Sequence, residues 1–165
     1  MSVFRRAVWP RVLPLLLAAL LLPPASADSK IHIEDVWVRS LPAVSKVNSG
    51  YMVIHNHGDA GDRLLKVRSD LAGEVEIHKS EEVDGHYRMQ RVPGIPLPAG
   101  SCTTLQSGGY HLMFKGMTRA PAVGERVPIW LTFESAGDIR VDAEVRPVGS
   151  IPTASAQANG HHHRH

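Results

Sequence analysis

From residue 31 onward the chain alternates apolar and polar side chains in short runs broken by Gly, Pro, Asn and Asp. Successive side chains of a strand point to opposite faces, so the run EVEIH at 74–78 puts Val75 and Ile77 on one face and Glu74, Glu76 and His78 on the other. The run HLMFK at 111–115 sends Leu112 and Phe114 inward and His111, Met113 and Lys115 outward. The same pattern predicts strands near 31–38, 49–56, 63–69, 73–79, 86–92, 101–106, 110–115, 127–134 and 138–146. No segment of helical length sustains a 3.6-residue apolar period, and the 12 prolines and 14 glycines fall mostly between the strands. The expected fold class is all-β, a sandwich or barrel in one domain.

Two positions break the expectation that polar faces carry polar side chains. Met113 shares the outward face with His111 and Lys115, and Met89 lies between Arg88 and Gln90 in HYRMQR. His78 and His111 stand on polar faces as well, so four soft or borderline donors face away from the predicted core. Imidazole with thioether suits copper, sulfur favouring Cu(I), whereas calcium and magnesium take oxygen ligands and structural zinc usually takes thiolate.

Composition narrows the partners. A chain of 165 residues that is 43% hydrophobic can bury a core once its ends are set aside. Residues 1–27 combine Arg5, Arg6 and Arg11, an apolar run from Val12 to Leu22, and Ala25-Ser26-Ala27, the pattern of a cleaved secretory signal peptide. The apolar run contains Pro14, stops at Pro23-Pro24 and is shorter than the roughly 20 residues of a bilayer span. No cysteine lies near that cleavage point, so lipid attachment is not expected. Without the three leader arginines, the formal +2 becomes 15 basic against 16 acidic side chains, too little positive charge for nucleic acid or anionic lipid. Cys102 is the single cysteine, so the fold has to hold without an internal disulfide.

The remaining candidates have plainer readings. Trp37, Trp130 and Met52 lie in strong strand patterns and are assigned to packing. Met117 follows Gly116 with no spacing partner, which leaves it a weak auxiliary thioether. His55 and His57 form an HxH pair, but the turn-rich Gly58 to Asp62 follows at once, so solvated histidines are expected; His32 and His86 carry no pattern. The segment 150–165 is polar and proline-containing, expected to be disordered, and ends in His161, His162, His163, Arg164 and His165. That tract is a candidate auxiliary collector of Cu(II) or Zn(II), and Arg164 within it argues for a native tail over a purification tag.

Ten residues separate His78 from Met89, twenty-one separate Met89 from His111 and one separates His111 from Met113. With that spacing, with Asn56, Gly58, Asp62 and Leu64, and with the string Gly108-Gly109-Tyr110-His111-Leu112-Met113, the chain resembles the PCuA(C)-like periplasmic copper chaperones over about 31–148. The resemblance implies a cupredoxin-like Greek-key β-sandwich or barrel over 28–149. It also implies a non-enzymatic, monomeric periplasmic protein whose Cu(I) ligands are His78, Met89, His111 and Met113 in an exposed site. Its copper would pass towards the CuA centre, with subunit II of cytochrome c oxidase and a Sco-like copper/thiol protein as transfer partners. Many such proteins carry a methionine directly after the first histidine; this chain has Lys79 there.

Two other classes compete. An electron-transfer cupredoxin would use Cys102 with His111 and Met113, although nine residues is a long step from the cysteine to the histidine. A secreted copper or zinc enzyme would need an open metal position and a positioned acid or base, for which Glu76 is the candidate; no triad, paired-carboxylate pattern or phosphate loop accompanies it.

Overall fold

A computed structural model describes residues 30–150. The expected signal peptide and the His-rich tract at 161–165 lie outside the described residues. Ten strands make up the fold: β1 (Ile31–Arg39), β2 (Val47–Asn56), β3 (Asp62–Arg68), β4 (Ala72–Val83), β5 (His86–Arg91), β6 (Ile95–Leu97), β7 (Cys102–Leu105), β8 (Tyr110–Met117), β9 (Arg126–Phe133) and β10 (Gly137–Arg146). Hydrogen bonding runs β4-β8-β2-β1-β10-β9-β3 and returns from β3 to β4 through Val67 and Val75, so seven strands close into a barrel. Closure removes the sheet edges that an open sheet would leave bare. The β1–β10 pair is parallel and the others are antiparallel.

All nine predicted strands are present, and the tenth, β6, was hidden by its proline. Pro96 lacks the N–H a central strand needs, but β6 lies at the end of the pairing order beside β3, where that donor is dispensable. β4 runs four residues past its expected end, because the polar stretch Ser80–Val83 pairs with β5. That hairpin turns at Asp84 and Gly85, with φ of 53° and 74°, the left-handed pair that a two-residue turn demands.

Period two sorts the faces. Met52, Ile54, Leu112, Phe114 and Ile129 meet in the barrel interior, as Met52 was expected to. Gly50 is required there, since a Cβ would come within 2.8 Å of the Phe114 ring. Trp37 is buried but faces outward, its ring 4.5 Å from that of Tyr51, while Trp130 is only half-buried and lies under Arg68. A bulge between Glu34 and Trp37, with Asp35 at φ 49°, rephases β1 so that Trp37 shares the outer face with Tyr51.

Candidate metal centre

The centre is built on the outer face of β4 and β8. His78 pairs directly with His111, and Glu76 with Met113, so all four share one face of adjacent strands. Across β4, Ser80 pairs with Met89 of β5, so the hairpin carries Met89 over the two imidazoles. The rings of His78 and His111 have centroids 5.8 Å apart, and Met89 Sδ lies 3.2 Å from His111 Nε2.

That nitrogen–sulfur contact is informative. His111 Nδ1 lies 3.1 Å from the carbonyl oxygen of Gly109, which can only accept, so Nδ1 carries the proton and donates it. Burial holds the His111 imidazole below the ordinary histidine value; the Gly109 hydrogen bond opposes the shift, and nearby His78 and Arg39 add to it. The ring is therefore neutral at pH 7, and Nε2 presents a lone pair to a thioether that has no proton to give. Two lone pairs facing each other are poor hydrogen-bond partners and good co-ligands. With the bond lengths zinc takes, about 2.0–2.1 Å to imidazole nitrogen and 2.3 Å to thiolate sulfur, as a guide, a tetrahedral angle would set such a pair about 3.5 Å apart.

His78 is prepared in the mirror sense. Its Nε2–H donates to Glu76 Oε2 at 2.8 Å, and its buried Nδ1 has no hydrogen-bond partner among the described residues. An orphaned buried acceptor beside a second histidine can serve a metal, with the carboxylate fixing the ring from behind. Glu76 Oε1 accepts from Arg91 Nη1 at 3.0 Å and Lys115 Nζ at 3.1 Å. The hydrogen bonds from His78 and then Lys115 hold its carboxyl below the usual range, so it stays ionised. The reading of Glu76 as a free acid or base does not fit these three partners.

The four expected residues do not stand alike. His111 meets Met89 directly and His78 stands beside His111, whereas Met113 sits two residues from His111 on the same face, a rise of about 7 Å that a flexible thioether side chain can bridge. The site is also less exposed than expected: His111 is 5% exposed and the His78 side chain 11%, while Met89 is 54% exposed. Outward does not mean wet here, because the β4–β5 hairpin covers the imidazoles. Met117 packs against the core beside Ala72, away from the pair, and is not part of the centre. Cys102 pairs with His55, whereas β8 meets β2 at Gly50 through Leu112; four to five residues along β2, roughly 15 Å, separate the thiol from His111. The thiolate a cupredoxin needs is out of reach. Arg39 and Arg91 went unnoticed in the sequence, since no local pattern joins them to a histidine on another strand.

Similarity to known proteins identifies the family and the fold. The family model described as LpqE-like matches residues 31–145. A Leifsonia xyli subsp. xyli protein named "Putative lipoprotein Lxx21020" is 25% identical over 125 residues, 75% of this chain and 74% of its own. Among solved structures, a copper-bound PCuAC domain from PmoF2 is 30% identical, covers 72% of this chain and 93% of its own, and has a TM-score of 0.62; the apo form of that domain gives 0.63 at 30% identity, over 74% and 94%. The Cu(I) form of DR1885 from Deinococcus radiodurans is 29% identical over 67% of this chain and 74% of its own, with a TM-score of 0.57. The barrel is cupredoxin-like, as these domains are.

Proposed function

The chain belongs to the LpqE-like family and folds as PCuAC copper chaperone domains do, and from that premise we propose that it is a Cu(I) chaperone using His78, Met89, His111 and Met113. The observation that carries the ligand assignment is the pair of opposed lone pairs on His111 Nε2 and Met89 Sδ at 3.2 Å. Copper is cargo in this reading. Thioethers and neutral imidazoles need no deprotonation to bind it, so loading and release do not wait on a proton. Met89 arrives on an exposed strand and His78 and His111 lie beneath it, so an acceptor can displace the outer sulfur first while the inner nitrogens still hold the ion.

The leader-like residues 1–27 support export, and the periplasm is the proposed place of work. Those residues hold no cysteine, although the relatives' names include lipoproteins. Delivery towards the CuA centre of cytochrome c oxidase, with subunit II and a Sco-like protein as partners, completes the proposal, and it requires no catalytic turnover.

The test is competitive Cu(I) titration of protein lacking residues 1–27. One Cu(I) per folded domain is expected, with Met89→Ala and Met113→Ala each weakening it by at least about tenfold. A double mutant of unchanged affinity, in a chain whose tail histidines are replaced by alanine, would refute the ligand assignment.

A further inference from the structure

We propose a second metal site, for Cu(II), formed by His32, His55 and His57 with Glu34 on the outer face of β1 and β2. His32 pairs directly with His55 across the two strands, so both rings rise from the same face. His57 is two residues beyond His55, and its N–H donates to the Lys30 carbonyl at 2.9 Å, which fixes its backbone beside β1. The rings of His55 and His57 stack with centroids 5.6 Å apart, and His32 is 6.0 Å from the first and 6.4 Å from the second. Glu34, two residues from His32, reaches between them: Oε1 accepts from His55 Nε2 at 3.0 Å, and Oε2 lies 3.8 Å from His32 Nε2.

Among the described residues no three such side chains already converge on one point. Here convergence asks only for side-chain rotation, because backbone pairing holds all three histidines and the glutamate within one small area. His32 and Glu34 are exposed and His55 is a quarter exposed, so the rings can turn and an ion can enter. The Nε2 proton that His55 gives to Glu34 moves to Nδ1 in the tautomer that binds metal, leaving the carboxylate free to take a coordination position.

The donor set sorts the ion. The three imidazoles and the carboxylate are borderline-to-hard ligands, and among divalent first-row ions such a set binds Cu(II) most tightly; the exposed thiol of Cys102, paired with His55 on the same face, stands beside them and is replaced by serine in the test. The centre on β4 and β8 offers thioethers and suits Cu(I). The two sites lie on the same outer surface, about four residues apart along β2, which amounts to roughly 13 Å.

Cu(II) competition and electron paramagnetic resonance would test the site on the full chain carrying Cys102→Ser and alanine at His161, His162, His163 and His165. One Cu(II) with nitrogen hyperfine structure is expected, and His55→Gln or His57→Gln should weaken it by more than about tenfold. His78→Gln should leave it unchanged, and the thermal midpoint of each variant shows that the barrel is intact. The proposal is overturned if the tail-substituted chain binds no Cu(II), if Zn(II) binds more tightly than Cu(II), or if His78→Gln abolishes binding that His55→Gln preserves. None of these readings depends on Cu(I) occupying the first centre.

Discussion

His111 gives the residue scale its sharpest consequence. Burial keeps its folded-state proton affinity below the ordinary value of about 6.5. Above that pH both folded and unfolded chains carry a neutral ring, and its contribution to stability is complete. As pH falls below about 6.5 the unfolded chain takes a proton that the folded chain refuses, so stability drops until pH reaches the folded value. The midpoint of urea unfolding of metal-free protein should therefore fall between pH 7 and 5.5, and fall less in His111→Gln. Glu76 acts lower on the scale, since its carboxyl is held below 4.5 and its share is lost only as pH drops through that depressed value. Its larger effect is on copper: Glu76→Gln keeps the size of the side chain but weakens the grip on His78 Nε2–H, and Cu(I) affinity should fall about 10- to 100-fold by competition titration. The outward faces of His78, Met89, His111 and Met113 were legible because period-two patterning places a residue's face without knowing its neighbours. The Glu34 carboxylate between His32 and His55 was not, because only long-range register brings residue 32 beside residue 55.

At the scale of elements, the β4–β5 hairpin decides how Met89 meets His111. Sequence patterning found β5 but stopped β4 at Lys79, since Ser80–Val83 has no core face to alternate against. The Asp84–Gly85 turn was the missing sign, because that dipeptide between two runs favours the left-handed conformations of a tight hairpin. A Cβ at Gly85 would meet nothing within 4 Å, so substitution there acts through φ alone. Gly85→Val should strain the turn by about 1–2 kcal/mol. All six residues of β5 are exposed, so that strain is relieved by fraying the hairpin and leaves the barrel closed. Cu(I) affinity should fall several-fold while the thermal midpoint of metal-free protein barely moves. A large drop in midpoint would show instead that the hairpin is integral to the barrel.

Across the whole molecule, the proposed ligands divide between a rigid part and a loose one. His78, His111 and Met113 belong to β4 and β8, two neighbours in the closed ring, whereas Met89 belongs to a strand outside it that pairs on one side only. Copper should therefore change order more than shape. Binding to the folded chain alone adds stability of RT ln(1 + [L]/Kd), about 4 kcal/mol at a thousandfold excess over Kd, and the part that gains most is the part held least. In hydrogen exchange, amides of β5 that bond to β4 should exchange fast in metal-free protein and slow on Cu(I) loading, while those between β2 and β8 stay protected throughout. A Cu(I) chelator should restore the fast phase, and Met89→Ala should abolish the slowing in β5 even where the remaining ligands keep copper bound. Uniform protection across the barrel on loading would contradict this, because it would place the metal's grip on the ring and not on the hairpin.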